Sequence, residues 1–460
     1  MRGALSAASL RDPGAVLLVS CYELGHAPHG VAVPAAFLRR AGFAPAALDL
    51  AVEPLDPERV ARARLIAVSV PMHTALRVAL EQLPRLRQLA PSAAIGFIGA
   101  YAVLHAPMLR ELGAAFALGG ELEEALVDAA RAIERGEVPA ADALVPLERL
   151  RFPAPDRSGL AAAGYAHLIA PGGERRAAGY TEASRGCLDT CRHCPVPAVY
   201  GGRFFVVDQG TVLADVEAQV AAGARHITFG DPDFLNGPRH ALAIVRQLHH
   251  RFPAVTFDVT AQVSHLLRER AHLAELAALG CSFVTTAVES LSDRVLAALG
   301  KRHRRADVEH LLDLSAAAGL VVRPTFVPFT PWSELADLVD LVELIAARDL
   351  ADCVAPVQLS IRLLVPAGSL LLAGDGAALR FGPFDPAALG HTWRHPDRRV
   401  DALQRAIAEL VDRDASSGAD PTGSIAAIRD LVRAAAGLPP TGGLPRPASR
   451  APRLSEPWFC

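Results

Sequence analysis

The chain has 460 residues, enough for two or three domains, and 51% of them are hydrophobic, which is ample for large cores. Its formal net charge of −3 argues against a global attraction to nucleic acid or to an anionic membrane. Its seven cysteines are an odd number and no secretory leader is evident, which argues against a disulfide framework. No apolar run is long enough to span a bilayer, so we expect a cytoplasmic protein without a membrane partner.

The first part of the chain alternates short apolar runs with amphipathic stretches, which predicts a doubly wound parallel sheet of the Rossmann or flavodoxin type. We assign residues 1–150 to this α/β domain. Predicted strands span residues 16–20, 47–50, 65–70, 94–98 and 116–118, and predicted helices span residues 31–41 and 76–89.

A stretch rich in proline, glycine and arginine, residues 151–179, is predicted to be a linker. Strands and helices alternate again over residues 180–400, and residues 401–460 are predicted as a short helical region with a Pro/Gly-rich tail. The predicted strands of this second part span residues 180–184, 226–229, 255–261, 282–288, 321–327 and 357–364.

The most informative motif is Ser-Arg-Gly-Cys-Leu-Asp-Thr-Cys-Arg-His-Cys-Pro, which contains Cys187, Cys191 and Cys194. Its C-x3-C-x2-C spacing gathers three thiolates on one short loop, as iron–sulfur clusters require, and leaves one iron open to another ligand. A structural zinc site is the alternative, with His193 as the fourth ligand. His193 directly precedes Cys194, and two adjacent side chains do not easily reach one tetrahedral ion, which favours the cluster.

The motif resembles that of the radical S-adenosylmethionine (SAM) superfamily. There the open iron of a [4Fe–4S] cluster chelates SAM, and an electron from the cluster cleaves SAM to a 5′-deoxyadenosyl radical. The six strand–helix units match the superfamily's partial (β/α)6 barrel, whose chemistry gathers at the carboxyl ends of the strands. The resemblance implies a [4Fe–4S] cluster and SAM as cofactors, a reductant such as flavodoxin or ferredoxin, and a small-molecule or peptide substrate.

The α/β domain of residues 1–150 resembles the cobalamin-binding domain that precedes many such cores. The frequent Asp-x-His-x-x-Gly signature is absent, and the nearest region, residues 23–30, carries His26 and His29 instead. Because many relatives bind cobalamin without that histidine, the resemblance still implies cobalamin as a third cofactor. A purely structural domain is the alternative.

Polar residues follow the second and third predicted barrel strands. Gly230, Asp231 and Asp233 stand where the superfamily often has Gly-Gly-Glu for the SAM amino group, since glycine permits close approach and a carboxylate accepts from an ammonium. Gln262 closes the third strand and is a candidate contact for SAM or substrate.

The fourth and fifth strands carry further candidates. Glu289 and Ser290 resemble a polar pair that touches the SAM ribose and carboxylate in relatives, and Arg323 is expected either to bind the SAM carboxylate or to pair with an acid. His193 replaces a usually aromatic residue that packs near the adenine, and its ring can still stack there.

The chain ends in Ser455-Glu-Pro-Trp-Phe-Cys460. With Gly-Arg-Phe after the cysteine loop and an aromatic run after the fifth strand, it resembles the CUAEP/CCAEP-tail radical SAM (seleno)protein family. Members of that family end in Cys-selenocysteine-Ala-Glu-Pro or Cys-Cys-Ala-Glu-Pro. The resemblance implies a chain truncated at a selenocysteine codon directly after Cys460.

The expected function is radical SAM catalysis that depends on cobalamin, either methyl transfer or a radical rearrangement. One alternative is a cobalamin-independent radical SAM enzyme that modifies a peptide or a selenium-containing metabolite. The other is a non-catalytic iron–sulfur protein for electron transfer.

Overall fold

A computed structural model describes residues 9–137, 139, 143–373, 380–445 and 451–456, so that Cys460 lies outside the described residues. Within this part of the chain the strands form a five-stranded sheet, a seven-stranded sheet and two two-stranded ribbons. No helix there combines the length and the apolar character needed to cross a membrane.

The strands of the first sheet are β1 (Val16–Ser20), β2 (Ala46–Asp49), β3 (Leu65–Ser69), β4 (Ala94–Ile98) and β5 (Ala117–Leu118). Those of the second sheet and the ribbons are β6 (His167–Ile169), β7 (Arg175–Thr181), β8 (Ser184–Gly186), β9 (Phe204–Val206), β10 (His226–Phe229), β11 (Thr256–Thr260), β12 (Cys281–Glu289), β13 (Val322–Phe326), β14 (Phe384–Asp385), β15 (Gly390–His391) and β16 (Arg453–Leu454).

The helices up to the cysteine loop are α1 (His29–Arg40), α2 (Pro57–Arg62), α3 (His73–Leu89), α4 (Ala100–Leu104), α5 (Ala106–Glu111) and α6 (Glu123–Glu134). The later helices are α7 (Pro195–Tyr200), α8 (Gln209–Ala221), α9 (Pro238–Arg251), α10 (Val263–Arg268), α11 (Leu273–Ala278), α12 (Asp293–Leu299), α13 (Arg305–Ala317), α14 (Leu335–Ala347), α15 (Arg398–Ser417) and α16 (Pro421–Ala435).

The first sheet has the order β2-β1-β3-β4-β5 with all strands parallel, which is the flavodoxin-like arrangement. Its central strands are buried on both faces because their side chains alternate between two cores. Leu17 and Val19 join the core beneath α3, whereas Val16 and Leu18 join the core beneath α1 and α6. The predicted doubly wound sheet is therefore confirmed.

The second sheet has the order β13-β12-β11-β10-β7-β6-β16. Strands β7 and β10 to β13 are parallel, and they form the curled half-barrel that the sequence predicts. The sixth predicted strand is different: residues Pro356–Ser360 form a 3-10 helix, followed by a single parallel bridge between Phe329 and Arg362. Pro356 lacks the N–H that a strand ladder needs and suits the first turn of a helix.

Side chains of the parallel strands alternate between apolar and polar. Ile227 and Phe229 of β10 pack into the core under the helices. On the other face, His226 bonds to Asp258 at 2.8 Å, and Thr228 donates to the same carboxylate at 2.7 Å. The barrel thus has an apolar exterior and a polar interior.

Antiparallel strands extend the barrel sheet. Residues 167–181, partly within the stretch predicted as a linker, form β6 and β7, and β16 pairs with β6. Leu168, Phe283 and Leu454 pack together across these strands. The described end of the chain is therefore built into the barrel sheet.

Candidate active site

The three cysteines lie on the loop of a β-hairpin formed by β8 and β9. The loop continues into the short helix α7, for which Cys194 is the N-cap and Pro195 the first residue. The amide N–H of Arg192 donates to the carbonyl of Leu299 at 2.8 Å, which fixes the loop to the end of α12. The loop is therefore anchored both at its base and at its middle.

The cysteines are unbridged; Cys187 and Cys191 are buried, and Cys194 is half-buried. Burial raises the pKa of Cys187 to about 11 and that of Cys194 to about 12, and it raises the pKa of Cys191 as well. The thiols are thus kept protonated unless a bound metal compensates the thiolate charge. Three such thiols on one anchored loop form a ligand set suited to an iron–sulfur cluster.

Gln262, at the end of β11, lies against two of the thiols. Its Nε2 atom is 3.7 Å from Sγ of Cys187, and its Oε1 atom is 3.9 Å from Sγ of Cys191. Asn236 holds the start of the loop, because its Oδ1 accepts from the amide of Leu188 at 3.2 Å. A sulfur–oxygen contact of 3.9 Å also joins Asn236 to Cys187.

Asp233 connects the β10 loop to these groups. Its Oδ1 accepts from the amide of Leu235 at 2.9 Å, and its Oδ2 accepts from the amide of Gln262 at 3.1 Å. The same Oδ2 lies 2.7 Å from Nδ1 of His265, whose Nε2 is 3.7 Å from Asp189 in the cysteine loop. Nδ1 of His265 and both carboxylate oxygens of Asp189 are buried without a hydrogen-bond partner among the described residues, so these side chains meet only at ion-pair distance between the loop and the strand ends.

Asp231 ties the hairpin to the strand beside it. Its carboxylate accepts from the amide of Ala183 at 2.9 Å and from the hydroxyl of Ser184 at 2.6 Å. Burial raises the pKa of Asp231 to about 7 despite these bonds. Gly230 precedes it, and a Cβ there would overlap the ring of Tyr180. The predicted Gly230 to Asp233 loop thus lies beside the cysteines, and its two carboxylates are bonded by the protein.

Glu289 is the hub of a second network, at the end of β12. Its Oε1 lies 3.1 Å from Nε2 of His193 and 3.4 Å from Nζ of Lys301. Burial opposes ionisation of Glu289, but the charge of Lys301 and the bond from His193 outweigh it, so that the pKa is about 2. Its φ of +65° is in the left-handed region, a strained conformation for a glutamate that often marks a functional position.

Lys301 is the only lysine of the chain, and its side chain is 2% exposed. Burial acts to lower its pKa, but Glu289 and the nearby Cys191 and Cys194 raise it above the ordinary value. A buried ammonium therefore faces the cysteine loop, where it can balance negative charge.

Two predicted residues have other partners in the structure. The hydroxyl of Ser290 accepts from the amide of Ser292 at 3.1 Å, just before α12. Arg323 donates to the carbonyls of Asp352 at 3.1 Å and Pro452 at 3.2 Å. It is the second residue of β13 and so lies toward the end of the barrel opposite the cysteine loop.

The carboxyl edge of the first sheet faces the barrel. Tyr200 of α7 donates to Glu121 at 3.3 Å, and the rings of His26 and Tyr180 are 4.9 Å apart. Oε2 of Glu121 and Nδ1 of His26 are buried without a hydrogen-bond partner. In open α/β sheets this edge is where ligands bind, and unpaired polar atoms there suit a ligand rich in amide groups.

The crevice between β1 and β3 at this edge is occupied by a side chain of the protein. Glu23 accepts from the amide of Gly30 at 3.1 Å and from the hydroxyl of Ser69 at 3.0 Å. Burial raises the pKa of Glu23 to about 7. A ligand that enters this crevice has to displace Glu23.

Comparison with known proteins bears on this arrangement. The family model described as the radical SAM superfamily matches residues 181–342, which include the cysteine loop, β10 to β13 and Lys301. The chain contains a radical SAM domain. No curated protein matches the chain in sequence.

Two solved structures resemble the fold over most of the chain. The radical SAM methyltransferase TsrM from Kitasatospora setae, with cobalamin and a [4Fe–4S] cluster bound, is 19% identical over 73% of this chain and 70% of its own, with a TM-score of 0.57. The cobalamin-dependent SAM radical enzyme OxsB, with aqua-cobalamin bound, is 13% identical in sequence. The match covers 87% of this chain and 67% of OxsB, with a TM-score of 0.63. At these identities the likeness establishes the fold.

Several residues around the loop of the radical SAM domain are absent from the sequence prediction. They are Asn236, His265, Asp189 and Lys301. Their positions follow from helices and turns after the strands, which periodicity does not define. The sequence contains one indication that Lys301 is special: it is the only lysine in a chain whose other basic residues of this kind are arginines.

Proposed function

We propose that the protein is a radical SAM enzyme whose [4Fe–4S] cluster is held by Cys187, Cys191 and Cys194. The observation that carries the proposal is the convergence of these buried or half-buried, unbridged thiols on one anchored loop, facing the ammonium of Lys301. When bound, the cluster and SAM supply the 5′-deoxyadenosyl radical. The proposed electron donor to the cluster is a low-potential reductant such as flavodoxin or ferredoxin.

The residues of this chain suit the two ends of the SAM zwitterion. Lys301 offers a buried cation to the carboxylate, and Glu289 offers an ionised acceptor to an ammonium. His193, bonded to Glu289, lies next to Cys194 and so keeps its ring beside the cluster loop. These three side chains orient SAM, and the surrounding burial excludes water.

Cobalamin is the proposed second cofactor, held between the first sheet and the barrel. The unpaired atoms of Glu121 and His26 suit the amide groups of a corrin, and both solved neighbours are cobalamin enzymes. Bound cobalamin supplies methyl transfer or radical rearrangement chemistry. The proposed substrate is a small molecule or a peptide.

A second candidate is a radical SAM enzyme without cobalamin. The side chain of Glu23 favours it, because that side chain fills the crevice between β1 and β3 and is bonded at both oxygens. Anaerobic reconstitution with hydroxocobalamin, followed by desalting and visible spectroscopy, separates the two candidates. Retained corrinoid absorption supports the first, and colourless protein that still cleaves SAM supports the second.

SAM cleavage tests the central proposal. The reconstituted, dithionite-reduced protein is expected to form 5′-deoxyadenosine from SAM, and the variant Cys194→Ala is expected to form none. An iron–sulfur protein for electron transfer predicts a reducible cluster without 5′-deoxyadenosine. That result from the wild type would contradict the proposed enzyme.

A further inference from the structure

Gln262 contacts the cysteine loop more closely than the sequence predicts. Its amide group lies between Sγ of Cys187 and Sγ of Cys191, with Nε2 toward Cys187 at 3.7 Å. The residue is 7% exposed, so water does not compete for this contact. An amide in this position is a hydrogen-bond donor to a sulfur rather than a free contact for substrate.

The backbone position of Gln262 is fixed by its surroundings. Gln262 is the N-cap of α10, and its own backbone N–H is held by Oδ2 of Asp233 at 3.1 Å. Nδ1 of His265, one turn into the same helix, lies at an ion-pair distance of 2.7 Å from the same oxygen, and Nε2 lies 3.7 Å from Asp189 of the cysteine loop. The carboxylate of Asp233 thus holds the backbone of Gln262, which keeps the side chain close to the sulfur.

We infer that Gln262 donates an N–H···S hydrogen bond to the Cys187 thiolate and thereby raises the reduction potential of the cluster. Reduction adds negative charge to the cluster and its sulfurs, and a donor directed at a ligand sulfur stabilises the reduced state more than the oxidised one. Hydrogen bonds to ligand sulfurs are among the factors that set iron–sulfur potentials. Gln262 is therefore a positioning residue that makes the cluster easier to reduce. The inference rests on the proposed cluster.

The test is a redox titration of the reconstituted protein, followed by electron paramagnetic resonance of the reduced cluster. In Gln262→Leu the midpoint is expected to fall, with the reduction equilibrium constant lowered about tenfold, or about 59 mV for one electron. An exchangeable proton coupled to the cluster, seen by comparing proton ENDOR spectra in H2O and D2O, is expected to disappear. The control is Gln404→Leu in α15, which removes a hydrogen bond from a side-chain amide to the carbonyl of Ser360, away from the cysteine loop.

The outcomes separate this inference from the proposed function. A wild type without a [4Fe–4S] cluster contradicts the proposed function, whereas equal midpoints in wild type and Gln262→Leu contradict the role of Gln262. Equal shifts in Gln262→Leu and Gln404→Leu also contradict it. If Gln262→Leu does not assemble a cluster, Gln262→Asn keeps the amide but withdraws it from the sulfur. A wild-type midpoint in that variant would overturn the inference.

Discussion

Nε2 of His193 lies 3.1 Å from Oε1 of Glu289, so the residue between two cysteines of the loop is joined to the end of β12. Lys301, which follows the C-terminal end of α12, donates to the same oxygen at 3.4 Å. One carboxylate thus receives a histidine from the cluster loop and the only lysine of the chain. Its left-handed backbone shows that the fold accepts strain to aim it there.

The cysteine assignment predicts a selective loss of iron. Cys194→Ala is expected to reduce bound iron from about four atoms per chain to nearly none after anaerobic reconstitution, because two thiolates do not hold the cluster. Cys353→Ala is the matched control, since that cysteine is also unbridged and half-buried but lies outside the loop. Colorimetric iron and sulfide assays make the measurement, and equal losses in both variants would refute the assignment.

Removal of the lysine charge is expected to destabilise the protein. Lys301→Met leaves the Glu289 carboxylate buried with only His193 beside it, and breaking a buried ion pair typically costs about 3–5 kcal/mol. Urea unfolding of the metal-free protein measures the change. Lys301→Arg keeps the charge and is expected to lose clearly less, so equal losses in the two variants would show that shape matters rather than charge.

The same variants test the proposed SAM site. In cluster-loaded protein the dissociation constant for SAM is expected to rise at least about tenfold in Lys301→Met, equivalent to about 1.4 kcal/mol. Equilibrium dialysis with labelled SAM gives the value. An unchanged constant in a correctly folded, cluster-loaded variant argues against a contact between Lys301 and the SAM carboxylate.

Glu121 predicts a pH dependence of stability. Burial raises its pKa from 4.5 to about 7, so between these values the folded state keeps a proton that the unfolded state releases. The free energy of unfolding is therefore expected to fall as pH rises through this window. Glu121→Gln is expected to flatten the fall, and the exposed Glu124→Gln is the control. Urea unfolding from about pH 5 to pH 8 gives the free energy of unfolding at each pH. If its slope against pH is unchanged in Glu121→Gln, the raised pKa of Glu121 is contradicted.

Gly230 is expected to tolerate no side chain. A Cβ there overlaps the half-buried ring of Tyr180, and overpacking of this kind costs about 1–3 kcal/mol or more. Gly172→Ala is the matched control because a Cβ at that position meets nothing within 4 Å. Thermal unfolding of Gly230→Ala is compared with that of Gly172→Ala. Equal melting temperatures would show that the ring of Tyr180 moves aside without a cost in stability.

We expect Arg323 to hold the described C-terminal segment in place rather than to bind SAM. Arg323→Leu removes its bonds to the carbonyls of Asp352 and Pro452, so cleavage after Arg453 by trypsin is expected to accelerate roughly tenfold. SAM affinity is expected to stay within about twofold of wild type. Arg175→Leu, an exposed change on β7, serves as control. Weaker SAM binding with unchanged proteolysis would restore the role that the sequence predicts for Arg323.

Much of the fold can be predicted from the sequence because hydrophobic runs mark buried parallel strands directly. Residues 16–20 and 94–98 form strands with the predicted bounds, and β10 does as well. The antiparallel strands β6 and β16 could not be predicted, because their short segments carry no alternating pattern and they pair across most of the chain. At residues 357–364 the apolar run predicts a strand, but the proline before it starts a 3-10 helix instead.

The sequence predicts the site residues whose role depends on their spacing along the chain. It does not predict the residues that only folding brings to the site. The cysteine loop is evident from its spacing, whereas Asn236 and His265 acquire their partners only when β10, β11 and the loop meet. Gln262 was correctly placed at a strand end, but its contact with the sulfurs needed the three-dimensional structure. The resemblance to the CUAEP/CCAEP-tail family depends in part on Cys460, which lies outside the described residues, and it stays a prediction.

The pairing of β16 with β6 has a consequence for how the protein is made. Ser455 and His167 are hydrogen-bonded although they lie 288 residues apart, so the edge of β6 remains open while the ribosome synthesises the rest of the barrel. Such long-range pairing slows folding, and an unpaired strand edge invites association with other chains. Completion of the barrel sheet is therefore expected to come late in folding, and chains in which β16 has not yet paired with β6 are expected to depend on chaperones.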